Sequence, residues 1–83
     1  MPLGVDVGVL RDGQDTHAGT ITWDGQTFQC VPDTPLLREI VAEPISGPGG
    51  TVLSPERDPE AFLRALNRQY HSAYLRVSAA REV

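Results

Sequence analysis

The stretch DPEAFLRALNRQYHSAYLRVSAAR, residues 58–81, decides what this chain can build. Pro59 disfavours the α region for Asp58, which places Asp58 as N-cap and Pro59 as the first helical residue. Glu60 follows in the first turn, where a carboxylate favours the positive end of the helix dipole. At about 100° per residue, Phe62, Leu63, Leu66, Tyr70, Ala73, Val77 and Ala80 share one sector, with Tyr74 at its edge. The spacing predicts a long C-terminal helix over residues 58–81, about six turns at 3.6 residues each. A helix of that length covers a small sheet by itself.

The far side of this helix carries Arg64, Arg68, His71 and Leu75 at spacings of four, three and four, which draws one exposed stripe. Tyr74 lies beside it. Folding requires neither a basic stripe nor a solvent-facing leucine, so Arg64, Arg68, His71, Tyr74 and Leu75 form the candidate interface. The plain alternative is a solvated face with one exposed apolar residue, which is ordinary in folded proteins.

Upstream, residues 3–10 alternate, with Leu3, Val5, Val7 and Val9 on one side and Gly4, Asp6 and Gly8 on the other. That is a half-buried strand. A second strand is expected over 16–23 and a third over 26–31, joined by a two-residue turn at Asp24-Gly25. This turn sets Ile21 opposite Phe28 and Gly19 opposite Cys30, and puts Thr20, Thr22, Thr27 and Gln29 on the other face. A two-residue loop at Asp12-Gly13 would set the valines against Thr16, Ala18 and Thr20. A three-residue loop over Arg11–Gly13 instead brings Val5 to Gly19 and Val7 to His17, and is preferred because register follows the apolar pattern.

Thr34-Pro35 opens a short helix as N-cap and first residue, and Pro44 ends it. SGPGG, residues 46–50, reads as a flexible loop. Thr51–Leu53 fits a short fourth strand at an edge of the meander. The fold class is therefore α+β: a small antiparallel meander of three strands, with a possible fourth, packed by a short helix and a long C-terminal one. At 83 residues this makes one small domain.

Composition narrows the function classes. The net charge is −4, and all seven basic residues are Arg. The absence of Lys fits the codon usage of a GC-rich bacterial genome. Nucleic-acid binders owe most of their affinity to phosphate neutralisation, so an acidic balance argues against that class. Single-chain disulfides and cysteine metal clusters are excluded by the lone Cys30. Without a signal-peptide pattern or a long apolar run, the chain is expected to be cytoplasmic and free of the membrane.

Chemistry-bearing groups are scarce. His17 is expected on the apolar face of the second strand as a hydrogen-bonded neutral ring, and Cys30 on the inward face as a packing thiol. A Cys30–His17 nucleophile pair is possible by position but would lack substrate access. SGPGG lacks the Lys-Ser/Thr that a phosphate loop requires, and no metal or cofactor motif is present. The reading is a non-catalytic protein–protein interaction module, a small accessory or regulatory protein that binds another protein or copies of itself. The alternatives are nucleic-acid binding through Arg64, Arg68 and Arg76, and mimicry of nucleic acid by Asp6, Asp12, Asp15 and Asp24. An enzyme using Cys30 and His17 ranks last.

Overall fold

The computed structural model describes residues 2–72 and 74–83. Strands β1 (Leu3–Arg11), β2 (Gln14–Trp23) and β3 (Phe28–Val31) form the meander, and helix α1 (Pro35–Ile40) follows. Next come a short hairpin of β4 (Ile45–Ser46) and β5 (Val52–Leu53), helix α2 (Pro59–Gln69), and strands β6 (Leu75–Val77) and β7 (Arg81–Glu82). The main sheet runs β3-β2-β1-β6, with β7 also paired to β1, and every pairing in it is antiparallel. This is the α+β class the sequence indicated.

The long C-terminal helix is not formed. α2 begins where the Asp58-Pro59 signal put it but stops after eleven residues. Asp58 takes the N-cap position without capping through its side chain, which accepts from Arg57 Nε at 3.0 Å instead. At the other end, Ser72 Oγ accepts from the amides of Tyr74 and Leu75 at 3.3 and 3.2 Å. Serine that binds nearby backbone in this way competes with helix continuation. The chain then reverses and Val77 N donates to Tyr70 O at 2.9 Å.

The reason lies in β1. Val7, Gly8 and Val9 pair with Val77, Arg76 and Leu75, so the segment satisfies a strand edge that a helix would have left open. Val77 is buried and Ala80 packs against the core, as the helical sector also required, but they reach it from strand and loop. Ala73, placed in that sector by the sequence, lies outside the described residues.

Register in the first hairpin holds a second correction. The loop is the two-residue Asp12-Gly13 turn, with φ of 50° and 77°, as a tight hairpin turn requires. Thr16 pairs with Val9 and His17 with Gly8, after which the register slips and Gly19 pairs with Val7. Ala18 is the extra residue, a β-bulge that restores the apolar phase. Ile21 thus faces Val5, where Gly19 was expected, so the apolar face is kept at a register shifted by two, while His17 is turned to the opposite face.

The second hairpin is offset by two residues from the expected pairing. Trp23 faces Phe28, and Ile21 faces Cys30. Asp24 Oδ1 accepts from the amides of Gln26 and Thr27 at 2.8 Å each, so this side chain closes a four-residue loop. A slip of two leaves the faces unchanged, and Ile21 and Cys30 are buried as the alternation demands.

α1 matches its signals: Thr34 Oγ1 accepts from Leu37 N at 3.4 Å with Pro35 in the first turn. Residues 46–50 are not a loose loop. They form the end of β4 and a single 3-10 turn, Pro48–Gly50. β5 pairs with β4 rather than with the meander.

One face of the sheet carries the core. Leu3, Val5, Val7, Ile21, Cys30 and Val77 are buried there beneath Leu37 and Ile40 of α1 and Phe62, Leu63 and Leu66 of α2. Trp23 and Phe28 pack with tilted rings, centroids 4.9 Å apart, and Phe28 meets Phe62 edge-on at 6.0 Å. Neither helix covers the other face.

Candidate interaction site

The five candidate interface residues do not lie on one helix. Arg64 and Arg68 stay on the exposed side of α2. His71 bridges to Arg76, Tyr74 stands exposed in the reversal at 77% accessibility, and Leu75 is a half-buried β6 residue opposite Val9. The stripe existed only on a helix carried through to residue 81.

What Arg64 and Arg68 do face is a trough about 410 Å³ in volume between α2 and the β4–β5 hairpin. Its floor is apolar, made by Ala61 and Ala65 of α2 and by Leu53 of β5. Small residues four apart on a helix leave that side shallow, so the hairpin wall stands above it. The wall is shaped by Gly47, whose N–H donates to Thr51 O at 2.7 Å. A Cβ at Gly47 would sit 2.7 Å from Thr51 Oγ1 and 2.8 Å from Leu53 Cγ, so a larger residue would have to displace these side chains. Arg57, in the turn that precedes α2, ties that turn to the hairpin, donating from Nη2 to Val52 O at 3.0 Å. The hairpin wall is therefore held by its own backbone bond and by a side-chain bond from Arg57.

Arginine pairing differs along the chain, and Arg11, exposed at the end of β1, has no carboxylate partner among the described residues. Arg38, Arg57, Arg76 and Arg81 each pair with a carboxylate. Among the described residues Arg64 and Arg68 pair with none, and no carboxylate lines the trough.

The uncovered sheet face holds a second concavity, about 430 Å³, lined in part by Asp6, Asp15, His17 and Arg76. Its charges answer one another. Arg81 grips Asp6 with two N–H groups at 2.8 and 3.3 Å, Thr20 Oγ1 donates to it at 3.1 Å, and His17 Nε2 lies 3.7 Å away. Arg76 stands 3.8 Å from Asp15. The Arg81 hydrogen bond, helped by Thr20 and by the charges of Arg81 and His17, outweighs partial desolvation and holds the Asp6 carboxyl below its usual range.

That depression predicts a pH effect of definite sign. The folded carboxyl titrates below the unfolded one, near 3.9, so its contribution is present above that value and is lost as pH falls through the folded pKa. Arg81→Ala should move the Asp6 titration, followed by carboxyl NMR, upward towards the ordinary value. It should also cost about 0.5–1 kcal/mol at neutral pH, the scale of an exposed ion pair. An unmoved Asp6 titration would show that Arg81 does not set it.

His17 and Cys30 occupy opposite faces. His17 is exposed beside Asp6 because the Ala18 bulge turned it there, whereas Cys30 is buried opposite Ile21. Burial pushes the Cys30 thiol up, against a smaller opposing effect of Arg38. The pair considered from the sequence is not assembled. Arg76 is likewise off the helix, so Arg64, Arg68 and Arg76 do not form one phosphate-binding row. Nor do the four aspartates form one anionic strip: Asp6 and Asp15 are paired with arginines and Asp24 is spent on its own turn.

Sequence reasoning found Arg64 and Arg68 but missed the trough. Ala61 and Ala65 were its one local signal; the opposite wall comes from a hairpin whose turn was read as a loop and whose second strand was placed at the edge of the meander. Among the described residues no helix is long and apolar enough to cross a membrane. No protein-family model, curated protein or solved structure matches this chain.

Proposed function

We propose that this chain is a non-catalytic protein-contact module that holds a partner protein in the trough between α2 and the β4–β5 hairpin. One observation carries the reading: Arg64 and Arg68 stand without carboxylate partners over an apolar floor, although acidic residues outnumber basic ones eleven to seven in the chain. Arg is enriched among residues that dominate binding energy, most of all beside apolar surface that a partner dries. A hairpin wall closed by its own hydrogen bonds also loses less conformational freedom on binding than an open loop would.

Ala61→Glu is the direct test. Position 61 is exposed, and Glu keeps the helix while placing a carboxylate in the trough three residues before Arg64. Native mass measurement of the tagged protein, purified gently from its own host without nuclease, should show a companion of protein mass. The Ala61→Glu form should lose that companion and keep the same circular dichroism. A bare 9.0 kDa species from the unaltered chain, or a companion indifferent to Ala61→Glu, overturns the reading.

A further inference from the structure

Resting on the contact-module reading, the geometry points to a particular kind of occupant: we infer that the trough takes an acidic, amphipathic segment of a partner protein. An apolar side chain lies on Ala61, Ala65 and Leu53 while one or two carboxylates meet Arg64 and Arg68. Charge complementarity carries this. The trough has two cations and no anion of its own, and each guanidinium offers a planar fork that matches a carboxylate through two N–H groups.

Spacing agrees with it. Residues four apart on a helix are separated by about 6 Å along its axis. Alternate residues of an extended strand are about 6.8 Å apart on one side, so acidic residues at i and i+2 reach both arginines. The net charge of −4 does not cancel the attraction, because exposed charges beyond about 8 Å are largely screened at physiological salt.

The trough is only partly enclosed, whereas sites for small molecules enclose most of the ligand. A chain passing through fits better than an isolated small acid. A nucleic acid fits less well, since two arginines answer few phosphates and the apolar floor answers none.

Random linear peptides displayed on phage, selected on the immobilised full chain with the Ala61→Glu form as counter-selection, are the probe. Enriched sequences should combine Asp or Glu with a large apolar residue. A synthetic peptide of that sequence should lose about tenfold or more in affinity against Arg64→Gln/Arg68→Gln, and as much when its own carboxylates become amides, because charge-assisted bonds are the strong ones. Two results overturn this inference while sparing the contact module. One is enrichment of uncharged or basic peptides that Ala61→Glu still excludes; the other is acidic peptides indifferent to the double Gln change. Failure to enrich any peptide over the Ala61→Glu form overturns both. A mixed-sequence single-stranded oligonucleotide that displaces the peptide and binds more tightly would assign the trough to nucleic acid instead.

Discussion

Phe62→Ala is expected to remove about 3–5 kcal/mol of stability, the range for deleting a buried aromatic and leaving a cavity. Phe62 is fully buried and lies where α2 crosses the sheet, in an edge contact with the ring of Phe28, which in turn packs at a tilt against Trp23. A chain of 83 residues holds roughly 4–12 kcal/mol at about 0.05–0.15 kcal/mol per residue. One side chain therefore accounts for a large share of it. Urea unfolding followed by fluorescence of the single Trp23 gives the measurement. Phe62→Leu keeps most of the volume and should lose only about 1 kcal/mol, so a folded sample exists even if the alanine form fails to fold. Equal losses in the two variants would mean that Phe62 is not the centre of the core.

Gly19→Ala should cost about 2–4 kcal/mol, although it adds a single methyl group. Gly19 has φ of 155°, where a side chain is strained at about 1–3 kcal/mol. Its added Cβ would lie 2.7 Å from Val31 O and 2.9 Å from Leu37 Cδ2. The first contact is with backbone and the second with a buried core side chain, so neither yields without moving β3 or α1. Gly8→Ala is the control, because its Cβ meets nothing closer than Thr16 O at 3.8 Å. It should change stability by less than about 0.5 kcal/mol. Similar losses at both positions would remove the close approach of α1 as the reason for glycine at position 19.

The elements legible in the sequence are those whose determinants sit close together in the chain. Thr34, Pro35 and Leu37 define the start of α1 within four residues, and Asp58-Pro59 does the same for α2. The segment after Tyr70 was misread because its fate was decided elsewhere. Tyr70, Val77 and Ala80 suit a helical sector, yet Leu75 and Val77 also alternate as a strand does, and short apolar runs support either period. The open edge of β1, more than sixty residues earlier, settled the choice. His17 was misplaced for a related reason. An extra residue at Ala18 allows the tight turn and the apolar alternation to hold together, and neither pattern alone announces a bulge. Half of the trough was legible, since Arg64 and Arg68 follow from helical spacing; its other half needed the pairing of Ile45 with Leu53.

The meeting of the first and last strands has a mechanical consequence. Val83 N donates to Pro2 O at 3.2 Å, and Leu3 lies opposite Glu82, so residues 2 and 83 leave the sheet side by side. Tension applied between them does not shear a set of bonds that share the load. It opens them in sequence like a zipper, first β7 with the Arg81–Asp6 grip and then β6, while the Phe62 core still stands. A pull on the two ends finds an easy route that heat and denaturant do not single out.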